Sequence, residues 1–257
     1  FMREQFLKGP GPRLLVLGNE AIARGAIEGG VQVVAAYPGT PSSEIVEPLL
    51  DLKDAFGFYA EWSINEKVAF EVAAGASLVG ARARAAMKGA GLNWAMDPLM
   101  TLPLTGIKGG FVIVVADDPG AHYSSNEQYS RLAAQWAVIP CLEPEHQQDA
   151  KDMTKAGFEL SEQIELPVLI RSVTRISHSS GVIQFGDLQK SASPIGFNKH
   201  WKLPFRWNVY APPGLVPKHQ WQLEQLEKAQ QLVEKSEFNT LQTANSNLGI
   251  IATGLAA

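Results

Sequence analysis

Short apolar runs alternate with helical patterns along most of the chain. The runs are apolar throughout rather than at every second position, which is typical of strands buried on both faces. Strands are predicted at 13–17, 31–36, 56–61, 81–88, 111–116, 137–141 and 168–173. Helices are predicted at 20–28, 42–52, 66–79, 93–104, 127–135 and 144–162. Helices between buried strands indicate parallel crossovers, so the pattern predicts an α/β fold with a doubly wound parallel sheet flanked by helices.

Local signals refine three of the helix ends. Asn19 is expected to cap the first helix, and Pro144 is expected in the first turn of the helix at 144–162. The helix at 93–104 is expected to break at Pro98 and Pro103.

The α/β pattern predicts a first domain over residues 1–180. Residues 181–247 are expected to form a linker with one helix at 217–235, because the first part of this segment has no hydrophobic period. The apolar run from Leu248 predicts a strand that opens a second, truncated domain at 248–257. We therefore expect the chain to be the N-terminal part of a longer protein.

Composition narrows the classes of function. The formal net charge of −4 gives no basic footprint for nucleic acid. Trp201, Trp207 and Tyr210 beside Arg206 are compatible with base stacking, but the acidic chain favours an aromatic-anchored linker docked on the domain. No apolar run approaches the roughly 20 residues of a membrane span, and no signal peptide is visible, so a cytoplasmic protein is expected.

The single cysteine, Cys141, leaves no internal disulfide or iron–sulfur site in this chain. The five histidines lack metal-ligand spacing, so no metal site is expected here.

Two strand-to-helix turns carry the candidate chemistry. The loop Tyr37–Ser43 follows one buried strand, and Glu66 starts the helix after the next. Because parallel strands end at the same edge, both features are expected at the edge where α/β proteins bind small molecules. Thr40 between two prolines is suited to recognising a small anion, and turn chemistry alone is an equal alternative. For Glu66, the Ser63-x-x-Glu66 spacing on its own favours a capping box.

Several stretches resemble a known family. Asn65-Glu66, eight residues before Ala74-Gly75-Ala76, resembles the pyrimidine-binding domain of thiamine-diphosphate enzymes. The loop from Tyr37 to Ser43 is similar to that of 2-oxoacid:ferredoxin oxidoreductases. The stretches 88–93, 97–100 and 106–120 resemble the α subunits of the indolepyruvate enzymes in that family.

The resemblance implies a role for each matching residue. Glu66 would be catalytic, hydrogen-bonding the cofactor's aminopyrimidine and promoting the tautomer that removes the thiazolium C2 proton. Tyr37, Pro38, Gly39 and Asn93 would bind the cofactor with it, and Thr40 would reach the substrate carboxylate. The diphosphate and its Mg²⁺ would be bound by a domain absent from this chain, and iron–sulfur clusters would lie on missing sequence.

The chain departs from the pyruvate enzymes after the strand at 111–116. Those enzymes place an arginine for the substrate carboxylate here, whereas this chain has Asp117 and Asp118. His122 is one candidate for the substrate contact, and an Asx-turn with a solvated histidine is an equal alternative.

The resemblance implies oxidative decarboxylation of a 2-oxoacid, expected to be an arylpyruvate, with coenzyme A and ferredoxin. A β subunit and a homodimer are implied, and this piece alone should be inactive. The alternative is a non-catalytic homologue that acts as an assembly or regulatory module. A nucleotide-binding α/β protein is disfavoured, because no glycine-rich phosphate loop opens a helix.

Overall fold

Six parallel strands form the central sheet in the computed structural model of the chain, which describes residues 5–189, 195–197, 206–210, 214–243, 245 and 247–257. The strands are β2 (Val33–Ala36), β3 (Tyr59–Trp62), β4 (Ala83–Lys88), β5 (Phe111–Asp117), β6 (Cys141–Leu142) and β7 (Val168–Val173). Their order is β3-β2-β4-β5-β7-β6. The doubly wound parallel sheet predicted from the apolar runs is confirmed.

The helices lie between these strands. They are α1 (Gly18–Glu28), α2 (Glu47–Phe56), α3 (Glu66–Leu78), α4 (Met96–Thr105), α5 (Ser130–Ala137), α6 (Gln147–Ile164), α7 (Thr174–Ser177) and α8 (Leu215–Val233). Short 3₁₀ segments occur at Ser43–Ile45, Gly89–Ala95 and Gly254–Ala256. Among the residues described, no helix combines the length and apolarity needed to cross a bilayer.

The sheet has a buried core on both faces. Every residue of β5 is buried, as expected for a central strand covered by helices on two sides. On one face Phe70 of α3 meets Phe111 edge to face, with ring centroids 5.1 Å apart. On the other face α1 and α6 pack together over the sheet, with Phe158 fully buried.

The first strand departs from the prediction. β1 (Arg13–Leu17) does not join the parallel sheet but pairs antiparallel with β8 (Ser180–Gln184) in a separate two-stranded sheet. Most of β8 was expected to be linker. β1 is covered on one face only, since Leu15 is 68% exposed, so a continuous apolar run here does not mark a strand buried on both sides.

Three predicted helix ends are wrong. Asn19 lies inside α1, and the free Leu17 amide is instead bound by the Glu20 carboxylate at 2.8 Å. Helix α6 begins after Pro144, with the His146 side chain accepting the Asp149 amide at 3.1 Å. The predicted breaks at Pro98 and Pro103 do not occur, since both residues lie within the continuous helix α4.

Part of the expected linker is fixed to the domain. Buried Arg206 donates to the Thr105 carbonyl at 2.7 Å, pairs with Glu165 at 3.1 Å and lies over the Trp221 ring. Tyr210 is exposed, whereas Trp201 lies outside the described residues. This supports the docked-linker interpretation over base stacking.

The predicted strand from Leu248 is wrong. Ile250 and Ile251 are exposed, and no strand occurs in the described residues from 247 onward. The division into domains at 180 and 247 stays a prediction.

A buried ion cluster ties the sequence-distant parts together. The Glu28 carboxylate of α1 pairs with Arg24 at 2.8 Å and with Lys151 of α6 at 2.9 Å. It also accepts the Gly186 amide, beyond β8, at 2.7 Å. The side chains of all three charged residues are at most 3% exposed.

We expect Glu28→Ala to lower the free energy of unfolding by about 3–5 kcal/mol, because buried Arg24 loses its carboxylate partner and buried Lys151 keeps only Asp152. Denaturant titration of the chain measures this. The control is Glu227→Ala, which removes a carboxylate from the exposed face of α8. It should change the free energy of unfolding by less than about 0.5 kcal/mol. Equal effects of the two substitutions would contradict the prediction.

Candidate active site

The order of the strands creates a crevice between β2 and β4. From β2 the chain runs outward through α2 to β3, then returns through α3 to β4 on the other side of β2. The loops after β2 and β4 therefore leave in opposite directions, which is the arrangement that opens a ligand crevice in α/β sheets. The residues that follow β2, β3 and β4 form the candidate site.

Glu66 is the first residue of α3 and does not cap it. The cap is Asn65, whose side chain accepts the Val68 amide at 2.8 Å. Ser63 instead donates to Glu61 at 2.6 Å. The capping-box interpretation of Glu66 is therefore wrong, and its carboxylate is not needed to start the helix.

The Glu66 side chain lies under the segment that follows β4. It is 8% exposed, and a Cβ added at Gly91 would come within 2.4 Å of its Oε1 atom. Burial raises the pKa of Glu66, and the smaller effects of its own backbone amide and of the Lys88 charge act in the opposite direction. The site thus holds a carboxyl group that is easier to protonate than an ordinary glutamate.

The loop after β2 is held in one shape by its own hydroxyl groups. Ser42 donates its hydroxyl to the Gly39 carbonyl at 2.8 Å, and Ser43 accepts the Gly39 amide at 3.0 Å. Buried Asn19 of α1 donates to the Pro41 carbonyl at 2.7 Å. Within the part of the chain that the structure describes, the half-buried Thr40 hydroxyl makes no hydrogen bond, so it is available to a ligand.

The remaining residues expected to bind cofactor lie at the same edge but are exposed. Tyr37 and Pro38 are at the start of the loop, and Asn93 lies in the 3₁₀ segment two residues after Gly91. Asn93 also lines a cavity of about 350 Å³ between this segment and α5. Their roles stay predictions.

The carboxylates of the two aspartates after β5 bind groups of the protein itself. Asp117 is buried against Arg171 at 2.6 Å, and desolvation raises its pKa despite that pair. Asp118 accepts the Tyr123 amide at 2.6 Å, which closes the turn. The His122 ring is exposed and lies beside Gly120, as the solvated-histidine alternative expects. Its substrate role stays a prediction.

Lys88 is the site residue that the sequence analysis missed. It is the last residue of β4, and its stem packs on the loop, since a Cβ at Gly39 would lie 3.0 Å from its Cδ. Its ammonium donates to the Tyr123 carbonyl at 3.5 Å. The feature that could have identified Lys88 from the sequence is its position at the carboxyl end of a strand beside the crevice.

The crevice therefore combines a carboxyl with a raised pKa, an unoccupied hydroxyl and a cation. Such a set can exchange a proton with a ring nitrogen and bind a small anion. In the described residues no group of three or more His, Cys, Asp or Glu side chains is placed to hold a metal ion.

Comparison with known proteins assigns the fold a family. The family described as pyruvate flavodoxin/ferredoxin oxidoreductase, thiamine diphosphate-binding, matches residues 24–237. The indolepyruvate oxidoreductase subunit IorA of Archaeoglobus fulgidus is 47% identical over 96% of this chain and 40% of its own length. That of Pyrococcus abyssi is 47% identical over 96% and 38%.

More distant proteins share the architecture. The 2-oxoglutarate synthase subunit KorA of Methanothermobacter marburgensis is 28% identical over 70% of this chain and 50% of its own length. The solved structure of 2-oxoglutarate:ferredoxin oxidoreductase from Magnetococcus marinus, with 2-oxoglutarate, coenzyme A and succinyl-CoA bound, superposes with a TM-score of 0.68 at 19% identity. It covers 88% of this chain and 46% of that chain, and it shows the shared fold.

The chain spans about 40% of the length of the indolepyruvate oxidoreductase subunits it matches. The family match covers most of the chain, including the Tyr37–Ser43 loop, Glu66 and Lys88. The chain belongs to the thiamine diphosphate-binding family of pyruvate flavodoxin/ferredoxin oxidoreductases.

Proposed function

We propose that this chain is the pyrimidine-binding part of a thiamine-diphosphate-dependent 2-oxoacid:ferredoxin oxidoreductase that acts on arylpyruvates such as indolepyruvate. The observation that carries the proposal is the buried carboxyl of Glu66, at the crevice and free of a capping role. The two relatives named as indolepyruvate oxidoreductase subunits support the substrate class.

The residues present fit the cofactor's pyrimidine ring. Glu66 offers a carboxyl that can be held protonated against a ring nitrogen, and the missing Cβ of Gly91 leaves room for that carboxyl. In this proposal Tyr37, Pro38 and Gly39, in the loop after β2, and Asn93, two residues after Gly91, also contact the ring. When bound, thiamine diphosphate would supply the thiazolium carbon that attacks the 2-oxo carbonyl.

Each side chain has a separate task in this proposal. Glu66 holds and returns a proton at its Oε atoms, a role that its raised pKa favours. Thr40 donates its hydroxyl to the substrate. The buried start of α3 fixes Glu66, and the serine hydrogen bonds of the loop after β2 fix Thr40. Little further ordering is therefore required when ligands bind.

The rest of the site has to come from elsewhere in the assembly. In this sequence Gly186-Asp187-Leu188 lacks the second glycine of the motif that binds the diphosphate and Mg²⁺. We assign these groups to another domain or subunit, together with the iron–sulfur clusters that pass electrons to ferredoxin. A β subunit, coenzyme A as acyl acceptor, and a homodimer complete the proposed enzyme; a cytoplasmic setting stays a prediction.

The test is reconstitution of the complete α subunit with its partner subunit. Reduction of ferredoxin should require thiamine diphosphate, coenzyme A and an arylpyruvate, with pyruvate and 2-oxoglutarate as poor substrates. Assembly with no turnover on any 2-oxoacid would overturn the proposal in favour of the assembly module. Better turnover of 2-oxoglutarate would overturn the substrate class alone.

A further inference from the structure

We propose that Lys88 binds the carboxylate of the 2-oxoacid substrate, together with the Thr40 hydroxyl. The inference rests on the proposed function and identifies the cation that the loop after β5 does not provide. Its basis is the position of Lys88, the absence of a carboxylate partner for its ammonium among the described residues, and the chemistry of the substrate.

Lys88 is placed by the register of the sheet. Ala36, the last residue of β2, pairs with Ala86 of β4, so Lys88 extends two residues further along the edge beside the Pro38–Gly39 turn. Its aliphatic stem covers Gly39, with Cδ 3.0 Å and Cγ 3.2 Å from the position of an added Cβ. Thr40 directly follows Gly39, so the Lys88 stem packs one residue away from the residue that carries the hydroxyl group.

The ammonium group has no carboxylate partner. Over the described residues, no Asp or Glu oxygen comes within 4.0 Å of it, and its hydrogen bond goes to the Tyr123 carbonyl at 3.5 Å. A half-buried lysine with one long hydrogen bond to a neutral group has donors left for an anion. The Glu66 carboxyl nearby feels its charge but does not pair with it.

Two other cations in this part of the protein are already paired with carboxylates. Arg171 pairs with Asp117 at 2.6 Å and Glu143 at 3.0 Å. Lys67, next to Glu66 in the chain, pairs with Asp97 at 2.9 Å.

The substrate needs a cation at the crevice. A 2-oxoacid carries one full negative charge next to the carbonyl that reacts, so its orientation depends on where that charge is held. Asp117 and Asp118, which follow β5, are buried and engaged by donors of the protein, so these two positions offer the anion no positive charge. Lys88 lies beside the same turn, at the Tyr123 carbonyl, and brings the positive charge that they lack.

The test compares Lys88→Met with the wild type in the reconstituted holoenzyme. We expect KM for the arylpyruvate to rise about 10- to 100-fold, the range of one charge-assisted hydrogen bond, with a smaller change in kcat. Lys88→Arg should restore part of the loss. Lys235→Met at the exposed end of α8 removes the same charge far from the crevice and should leave KM unchanged.

Binding without turnover gives the second readout. We would measure inhibition by an arylpropionate and by its neutral amide. The wild type should prefer the carboxylate, and Lys88→Met should lose that preference while binding the amide as before. Equal weakening of both inhibitors, or an unchanged KM, would overturn the proposal.

Exchange of the cofactor C2 proton separates this proposal from the function itself. It should change much less than KM in Lys88→Met, because the Glu66 carboxyl is intact and the Lys88 charge has only a minor effect on its pKa. Slow exchange in that variant would mean that Lys88 acts on Glu66 and not on the substrate, which also overturns the proposal. No exchange in the wild type would instead refute the proposed function.

Discussion

Replacing Glu66 by glutamine in the reconstituted enzyme is expected to reduce kcat by about 100- to 10,000-fold, the usual contribution of a positioned acid–base group. Glutamine keeps the size and the hydrogen-bonding ability of the side chain but cannot take up or return a proton. Exchange of the cofactor C2 proton, followed by NMR after quenching, should slow by a similar factor. Affinity for the cofactor should change much less, because glutamine keeps the shape of the surface that the side chain presents to the cofactor.

The matched control is Glu71→Gln on the same helix. That carboxylate is 51% exposed and lies 3.9 Å from Lys67, so its loss removes an ordinary surface charge. Activity should stay within about twofold of wild type. Near-normal C2 exchange in Glu66→Gln would remove the catalytic interpretation and leave only the α/β scaffold.

The same carboxyl gives a pH dependence of stability. Its pKa in the folded protein is raised above the ordinary value of 4.5 because burial disfavours the charged form. The folded state therefore binds more protons than the unfolded state, and its stability falls as pH rises from that value through the raised pKa. The Glu66→Gln side chain does not ionise, so the variant does not lose this stability as pH rises. Its free energy of unfolding relative to wild type should therefore be higher at neutral pH than at acidic pH. Denaturant titrations of both proteins at acidic and neutral pH would measure this. The same difference in free energy of unfolding at both pH values would contradict the prediction.

The strands and the start of α3 could be predicted because they depend on local pattern. The run at 111–116 is apolar without interruption, and the structure buries all of β5. Glu66 begins a helix in both the prediction and the structure, since its neighbours are strong helix formers. The spacing favoured Ser63 as the cap of that helix, whereas the structure places Asn65 there, and the two arrangements give Glu66 different roles.

Long-range contacts explain the errors. β1 looks like a core strand, but its partner β8 lies more than 160 residues further along the chain, where the sequence carries no strong strand signal. Asn19 looks like a helix cap, yet its side-chain amide binds the Pro41 carbonyl, 22 residues away in the loop after β2. Lys88 looks like a strand end, and only the sheet register places it beside Gly39.

Gly91→Ala is expected to separate function from stability. The added methyl group would lie 2.4 Å from Glu66 Oε1 and 2.9 Å from its Cδ, far inside contact distance. The atoms that must move belong to the end of a side chain, so the fold can accommodate the methyl by displacing the carboxyl. We expect the free energy of unfolding to change by less than about 1 kcal/mol, while kcat falls at least about 100-fold because the displaced carboxyl no longer reaches its position.

Gly75→Ala supplies the control, because an added Cβ there meets no atom within 4 Å. It should keep full activity and gain about 0.5–1 kcal/mol of stability as a helix-interior glycine replaced by alanine. Combining Gly91→Ala with Glu66→Gln should cost little more than either change alone, because both remove the same carboxyl function. Additive losses of activity in the double variant would mean that Gly91 contributes to the site by a route other than Glu66.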